Sequence, residues 1–244
     1  MSQFYYDLHI HSCLSPCADN DNTPGNIAGM GTLNGLQIMA LTDHNTCKNC
    51  PAFFTAAQRQ GIIPVPGMEL TTAEDIHMVC LFPTLEAAMR FDGEIDRRRM
   101  KIPNRPDIFG EQLLTDGDDA VIGSEPDYLP NATSVTVEES VPLAEAFGGI
   151  CYPAHIDRES NGILAVLGTL PESPRFSCVE LRDGDREADI RARYLSPATR
   201  TVVCGDAHVL WEIRERERFL DIDAPPDDEA AVRRGLIELL RHGQ

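Results

Sequence analysis

Cationic charge is scarce in this chain: lysine and arginine together number 21 against 39 aspartate and glutamate residues, a net charge of −18. Sequence-independent binding of nucleic acid needs basic side chains to neutralise phosphates, so no broad electrostatic grip on a long nucleic acid is expected. Nowhere is there a run of roughly 18 or more apolar residues, so no segment is expected to span a bilayer as a helix. The start, MSQFYYDLHI, is neither basic nor long and apolar, which reads as a soluble cytoplasmic protein. A disulfide framework is not expected from the eight cysteines. Cys80, Cys151, Cys178 and Cys204 lie inside strand-like runs such as HMVCLF and TVVCGD, where a free thiol behaves as a small buried hydrophobe.

What is present is enough apolar residue, 42% of 244, for a sizeable core. The runs FYYDLH, LQIMALTDH, IIPVPGMEL, IHMVCLF, GGICYPAH, SCVELR and TVVCGDAH are short and rich in strand-formers. Helix-like stretches separate most of them, at 23–34, 51–60, 85–99, 137–147 and 185–194, and an amphipathic segment at 227–241 closes the chain after FLDID. Alternating strands and helices indicate an α/β protein with a mainly parallel sheet. Between about 102 and 134 the alternation lapses into a proline-containing stretch with the turn-like TDGDDAVIG. This reads as a surface excursion with a hairpin, the alternative being a lid over the site.

Histidine placement carries the chemistry. In DLHIHSCLS, residues i, i+2 and i+4 of a strand share a face, so Asp7, His9 and His11 project together. His44, Glu69, His155, Asp206 and His208 come at or just after the ends of later runs, and His77 begins one. In a β/α barrel the residues that do chemistry sit at the C-terminal strand ends. An open doubly wound sheet would gather them at one switch point, so ligands drawn from nearly every strand favour a closed or nearly closed barrel. Six imidazoles and two carboxylates suit zinc, manganese or iron, and eight donors exceed the needs of one tetrahedral ion. At least two ions are implied, with Glu69 as the bridging anion and Asp206 as a terminal one. Asp7 is expected to accept the other ring N–H of a ligand histidine. His242, in the terminal RHGQ, is read as an ordinary exposed histidine.

DLHIHSCLS, LTDHN, PGMEL followed eight residues later by His77, PAH at His155 and GDAH at His208 resemble, in order, the motifs of the polymerase and histidinol phosphatase (PHP) family. The resemblance implies a distorted seven-stranded β/α barrel over residues 1–244, with the excursion as an insertion, and a centre of two or three divalent ions that hydrolyses phosphoesters. It further implies that His9, His11, Glu69 and Asp206 hold one ion, Glu69, His77 and His155 a second, and His44 and His208 a third. The family supplies a further histidine or aspartate shortly after the first motif. Here SPCAD offers Cys17 or Asp19, a thiolate favouring zinc and a carboxylate tolerating manganese or iron.

Cys13, Cys17, Cys47 and Cys50, spaced as CxxxC and CxxC, are read as reduced and uncoordinated, a structural zinc or iron–sulfur site being the alternative. Lys48, Arg158 and Arg182 follow strand ends, where each could reach in to a phosphate, but each is read as a solvated charge. The cluster Arg97, Arg98, Arg99 and Lys101 is read as decorating a helix C-terminus. The expected activity is hydrolysis of a small phosphorylated metabolite or nucleotide by a hydroxide bridging the ions, with Glu69 at the centre. His208 or His44 is expected to protonate the leaving oxygen or to hold the third ion. The alternatives are an exonuclease on short oligonucleotides and a metal-binding regulatory module without turnover.

Overall fold

The computed structural model describes residues 1–242. Its strands are β1 (Ser2–Asp7), β2 (Ile38–Leu41), β3 (Ile63–Thr71), β4 (His77–Leu81), β5 (Leu113–Thr115), β6 (Val121–Ser124), β7 (Ile150–Pro153), β8 (Cys178–Leu181), β9 (Arg200–Val203) and β10 (Phe219–Ile222). Its helices are α1 (Pro24–Leu33), α2 (Cys50–Arg59), α3 (Leu85–Arg98), α4 (Pro106–Phe109), α5 (Val137–Ala146), α6 (Ile163–Leu167), α7 (Glu187–Tyr194) and α8 (Glu229–His242). Several helices start on a side chain that accepts an otherwise orphaned N–H: Thr23 for α1, Thr84 for α3, and Thr136 with Glu139 as a capping box for α5.

Six strands form one sheet in the order β10-β1-β2-β3-β4-β7, and β8 pairs with β9 in a separate parallel ribbon. The first three strands of the barrel, β1, β2 and β3, are mutually parallel. β4 is antiparallel to both β3 and β7, and β10 runs antiparallel to β1. Only residues 72–76 join β3 to β4, too few for the crossover that a parallel pair requires. The ribbon meets the main sheet through isolated contacts: Ile10 bridges Ala207, and Ile156 N–H donates to the Glu180 carbonyl at 2.9 Å. The fold is thus a mixed α/β half-barrel with a curled sheet, where strict alternation led to the expectation of a closed seven-stranded barrel.

Alternation along the strands separates two apolar layers. Phe4, Tyr6, Ile38, Ala40, Val79 and Leu81 face an inner core that α8 closes with Val232, Leu236, Ile237 and Leu240. Met39, Leu41, Met78 and Cys80 face the outer layer, shared with Ile27, Phe53 and Phe91 of the covering helices. Pro64 and Pro66 are tolerated in a central strand because the first half of β3 pairs only with β2, β4 pairing from Gly67 onward. A Cβ on Gly67 would lie 2.8 Å from the Cys80 carbonyl, so the β3–β4 approach requires glycine there.

The excursion carries α4 and the β5–β6 hairpin. It is tied down by Leu113 N–H to the Cys13 carbonyl (2.8 Å), by the Asn45 amide to the carbonyls of Leu129 and Asn131, and by Glu125. Buried Glu125 pairs with Lys48 and with Arg99 (3.0 Å), so neither of these two cations is a solvated decoration.

Candidate metal centre

His9 and His11 follow β1, His44 follows β2, Glu69 lies in β3, His155 follows β7, and Asp206 and His208 follow β9. His77 is the first residue of β4, and the antiparallel direction of that strand brings its beginning to the end where the parallel strands finish. All eight donors therefore meet at one rim, lining or underlying a cavity of about 470 Å³. His155 (φ 25°) and Asp206 (φ 46°) both hold positive-φ backbone conformations, uncommon outside glycine although aspartate and histidine enter them more readily than most; such residues cluster at functional sites.

Glu69 is the hub. Its carboxylate lies 2.8 Å from His77 Nδ1, 3.0 Å from His44 Nδ1, 3.1 Å from His155 Nε2, 3.2 Å from His11 Nε2 and 3.3 Å from His9 Nε2. Oε1 faces His9, His77 and His155, whereas Oε2 faces His11 and His44. Three sets of donors converge within 4.8 Å: His9, His11, Glu69 and Asp206; His44, Glu69 and His77; His11, His44 and His208. Among the described residues no such set includes a cysteine or Asp19.

The chemistry of the donors fits cations. Glu69 Oε2, Asp206 Oδ1 and His44 Nδ1 are buried yet make no hydrogen bond, a cost of about 1–3 kcal/mol each unless something electrophilic lies among them. His9 Nδ1 donates to Glu180 Oε1 at 2.8 Å, and His208 Nδ1 donates to the Asp206 carbonyl at 2.8 Å, since both acceptors can only accept. Ser15 gives its own proton to Asp43 (2.7 Å) and so accepts from His11 Nδ1 at 2.9 Å. Each of these three rings is thereby fixed with its Nε2 lone pair free. The Nε2 atoms of His9 and His11 stand only 3.1 Å apart, a separation that calls for a proton or cation between them.

Charge states follow from this crowding. Burial opposes a charged ring at His11, but the carboxylates of Asp206 and Glu69 beside it outweigh burial and push its pKa up to about 9. His9 is likewise raised, burial being overcome by Glu180, Glu69 and Asp206. At His44 and His208 burial prevails, lowering the values to about 3 and about 4. Burial alone would raise Glu69 and Asp206, but the surrounding imidazoles hold both well below the carboxylate range. A cation entering this centre displaces protons from His9 and His11, because ligand nitrogens must be bare.

Several groups take places that the sequence reading did not give them. Asp7 touches no imidazole; its carboxylate accepts the backbone N–H groups of His9, Gly205 and Arg214, since regular strand geometry ends at Asp7 and the side chain turns to the backbone that crosses it. The partner of His9 is instead Glu180 in β8, which also accepts the His155 N–H at 3.1 Å. Asp43 secures the loop through Ser12 and Ser15. Arg158 and Arg182 (3.4 Å) both reach Asp206 Oδ2 while their side chains stay 41% and 36% exposed, so these solvated charges also pair with the centre. Cys17 is exposed and lines the cavity, while Asp19 is an exposed turn residue that accepts the Asp21 N–H. Cys47 (3.1 Å) and Cys50 (3.6 Å) both donate to the Gly67 carbonyl, and Cys13 lies 3.8 Å from the Leu113 carbonyl. His242 pairs with Glu238 on the exposed end of α8. Among the described residues no helix is long and apolar enough to cross a membrane.

The PHP domain family matches residues 7–138. An error-prone DNA polymerase from Symbiobacterium thermophilum is 34% identical over 77 residues, which are 32% of this chain and 7% of that protein. Among solved structures, the lesion-specific endonuclease PfuEndoQ from Pyrococcus furiosus superposes with a TM-score of 0.65 at 18% identity, covering 94% of this chain and 55% of that one. Endonuclease Q in complex with a 27-mer duplex carrying an abasic lesion at the active site superposes with a TM-score of 0.61 at 17% identity, covering 94% and 56%. The chain thus spans little more than half of endonuclease Q and a small part of the polymerase. These neighbours overturn the expectation of a small phosphorylated substrate in place of long nucleic acid. An acidic total is no bar to a polyanion, because a phosphate meets the local field of a site and not the sum of the surface.

Proposed function

Because this chain belongs to the PHP domain family, we propose that it is a metal-dependent phosphodiesterase that cleaves the backbone of nucleic acid. The observation that carries the reading is the Glu69 carboxylate with five imidazole nitrogens within 3.3 Å, more donors around one buried anion than a single tetrahedral ion would use. His9, His11, Glu69 and Asp206 would hold one ion, Glu69 with His77, His155 and His44 a second, and His11, His44 and His208 are grouped for a third. Zinc, manganese and iron all suit these donors. Divalent ions bound here supply an acidified water and neutralise charge on the phosphoryl oxygens.

The chain's own residues do the rest. Glu180, Ser15 and the Asp206 carbonyl hold His9, His11 and His208 in the tautomers that leave Nε2 free. Arg158 and Arg182 neutralise the outer oxygen of Asp206 and face the cavity, where a guanidinium also suits a phosphate. His208, half-buried on the cavity wall, offers a bare Nε2 to the third ion; its ring is neutral and its one proton is held by the Asp206 carbonyl, so the proton for a departing oxygen would come from water.

The test compares wild type with a His9→Ala, Glu69→Ala double variant on single-stranded and duplex oligonucleotides, the duplexes including one with an abasic site. Each is loaded in turn with manganese, zinc and iron. Cleavage by wild type that falls at least 10³-fold in the variant is the expected result. Equal, background-level cleavage by both proteins with every metal sinks the reading.

A further inference from the structure

His44 belongs to two of the three donor sets, yet its Nδ1 makes no hydrogen bond, whereas His9, His11 and His208 each have Nδ1 bonded to a partner. Its ring is placed instead by the backbone that carries it. The His44 N–H donates to Ser15 Oγ at 3.2 Å, and the residue forms an isolated parallel bridge with Glu69. The next residue, Asn45, turns the chain there with φ at 52°, a region that asparagine enters more readily than most side chains.

Asn45 is 1% exposed, and its polar groups go to three segments at once. The backbone N–H donates to the Glu69 carbonyl (2.9 Å), and Oδ1 accepts the Thr71 N–H (2.8 Å). The two Nδ2 protons go to the carbonyls of Leu129 (2.8 Å) and Asn131 (2.9 Å). Carbonyls only accept and an N–H only donates, so these partners fix which way the amide faces. The loop that carries His44, the strand that carries Glu69 and the end of the excursion therefore meet on one residue. The excursion returns to the same point of β3, where Thr133 gives its N–H (3.0 Å) and its hydroxyl (2.9 Å) to the Thr71 carbonyl. Aspartate at position 45 would have no protons for the two carbonyls, and glycine would keep only the turn.

We infer that Asn45 is a positioning residue for the centre: it sets His44 against Glu69 and fastens both to residues 129–131, so that cation binding and the fixing of this end of the excursion are linked. The inference rests on the centre holding cations, as the proposed function requires, and is independent of which substrate is cleaved.

Cobalt(II), whose visible absorption reports the number and arrangement of its ligands, is titrated into the chelator-stripped full-length protein; imidazole and carboxylate donors accept it as they do zinc. Wild type should bind it with saturating ligand-field bands. Asn45→Gly keeps the positive φ and removes the amide, and it should bind cobalt about tenfold or more weakly, with displaced and weaker bands. Glu125→Gln loosens the excursion at its contacts with Lys48 and Arg99, away from His44 and Glu69, and should leave affinity and bands as in wild type. Circular dichroism confirms that each variant folds. Hydrogen exchange read by mass spectrometry needs no variant: cobalt should slow exchange over residues 128–134 of wild type by about fivefold or more. In Asn45→Gly that protection should vanish. If Asn45→Gly matches wild type in affinity and bands, if Glu125→Gln loses as much as Asn45→Gly, or if cobalt leaves exchange over 128–134 of wild type unchanged, the inference falls. The proposed function, judged by cleavage, then stands. A wild type that binds neither cobalt nor manganese, zinc or iron overturns both.

Discussion

Glu180 acts through another residue. Buried beneath the centre, it takes the Nδ1 proton of His9 and the backbone N–H of His155, so one carboxylate sets a ligand's tautomer and steadies the positive-φ segment that carries another. Partners of this kind raise the basicity of a ligand imidazole, and losing one costs about 10- to 100-fold in metal affinity. Glu180→Gln is therefore expected to weaken manganese or zinc binding by about that factor while unfolding stays cooperative, measured by calorimetric titration of the chelator-stripped protein. Unchanged affinity would mean that burial alone orients the ring. That these eight side chains gather at one rim was legible in the sequence, because all but His77 sit at the end of a strand-like run and histidine, glutamate and aspartate have few other reasons to gather there. Glu180 was not, since nothing local in SCVELR points to a histidine 171 residues earlier. Asp7 was misplaced for a related reason: period-2 geometry was extended past the residue at which the strand ends.

The elements were nearly all visible from apolar runs and their punctuation, whereas strand direction was not. A run such as IHMVCLF reads identically in either direction, and only the short link 72–76 reverses β4 and delivers His77 to the rim from the start of its strand. The excursion at 102–134 was likewise recognised as a lapse in alternation but not as a packed element. What packs it is Glu125, 6% exposed and held between Lys48 and Arg99. Burial opposes its charge, but the two cations outweigh burial and lower its pKa below the usual value of 4.5. A carboxylate whose folded pKa is depressed contributes stability that is present above the unfolded pKa and lost as pH falls through the folded one. Glu125→Gln should accordingly destabilise the protein by about 1–3 kcal/mol at pH 7. The gap from wild type should close progressively below about pH 4.5. Urea unfolding of both proteins across that range gives the comparison, and a gap independent of pH would assign the loss to packing.

At the scale of the whole molecule, net charge was a poor guide because it sums over a surface that no ligand ever meets entire. The same −18 that argued against nucleic acid coexists with a buried cluster where two carboxylates face six imidazoles. That cluster ties global stability to metal. An ion that binds the folded chain alone, supplied at about a hundred times its dissociation constant, adds about 2.7 kcal/mol. For a chain of this size each kcal/mol moves Tm by about 2–4 °C, so one occupied site should raise it by about 5–11 °C over the chelated protein, and two by more. Glu69→Ala removes the shared anion, leaving imidazoles that repel one another when charged and cannot hold two cations side by side. The absolute Tm of that variant mixes a lost anion with a cavity, so the diagnostic quantity is the increment on adding metal. In differential scanning calorimetry the increment should fall to less than half in Glu69→Ala. An increment of full size would place the stabilising ions away from Glu69 and remove the hub from the account of the centre.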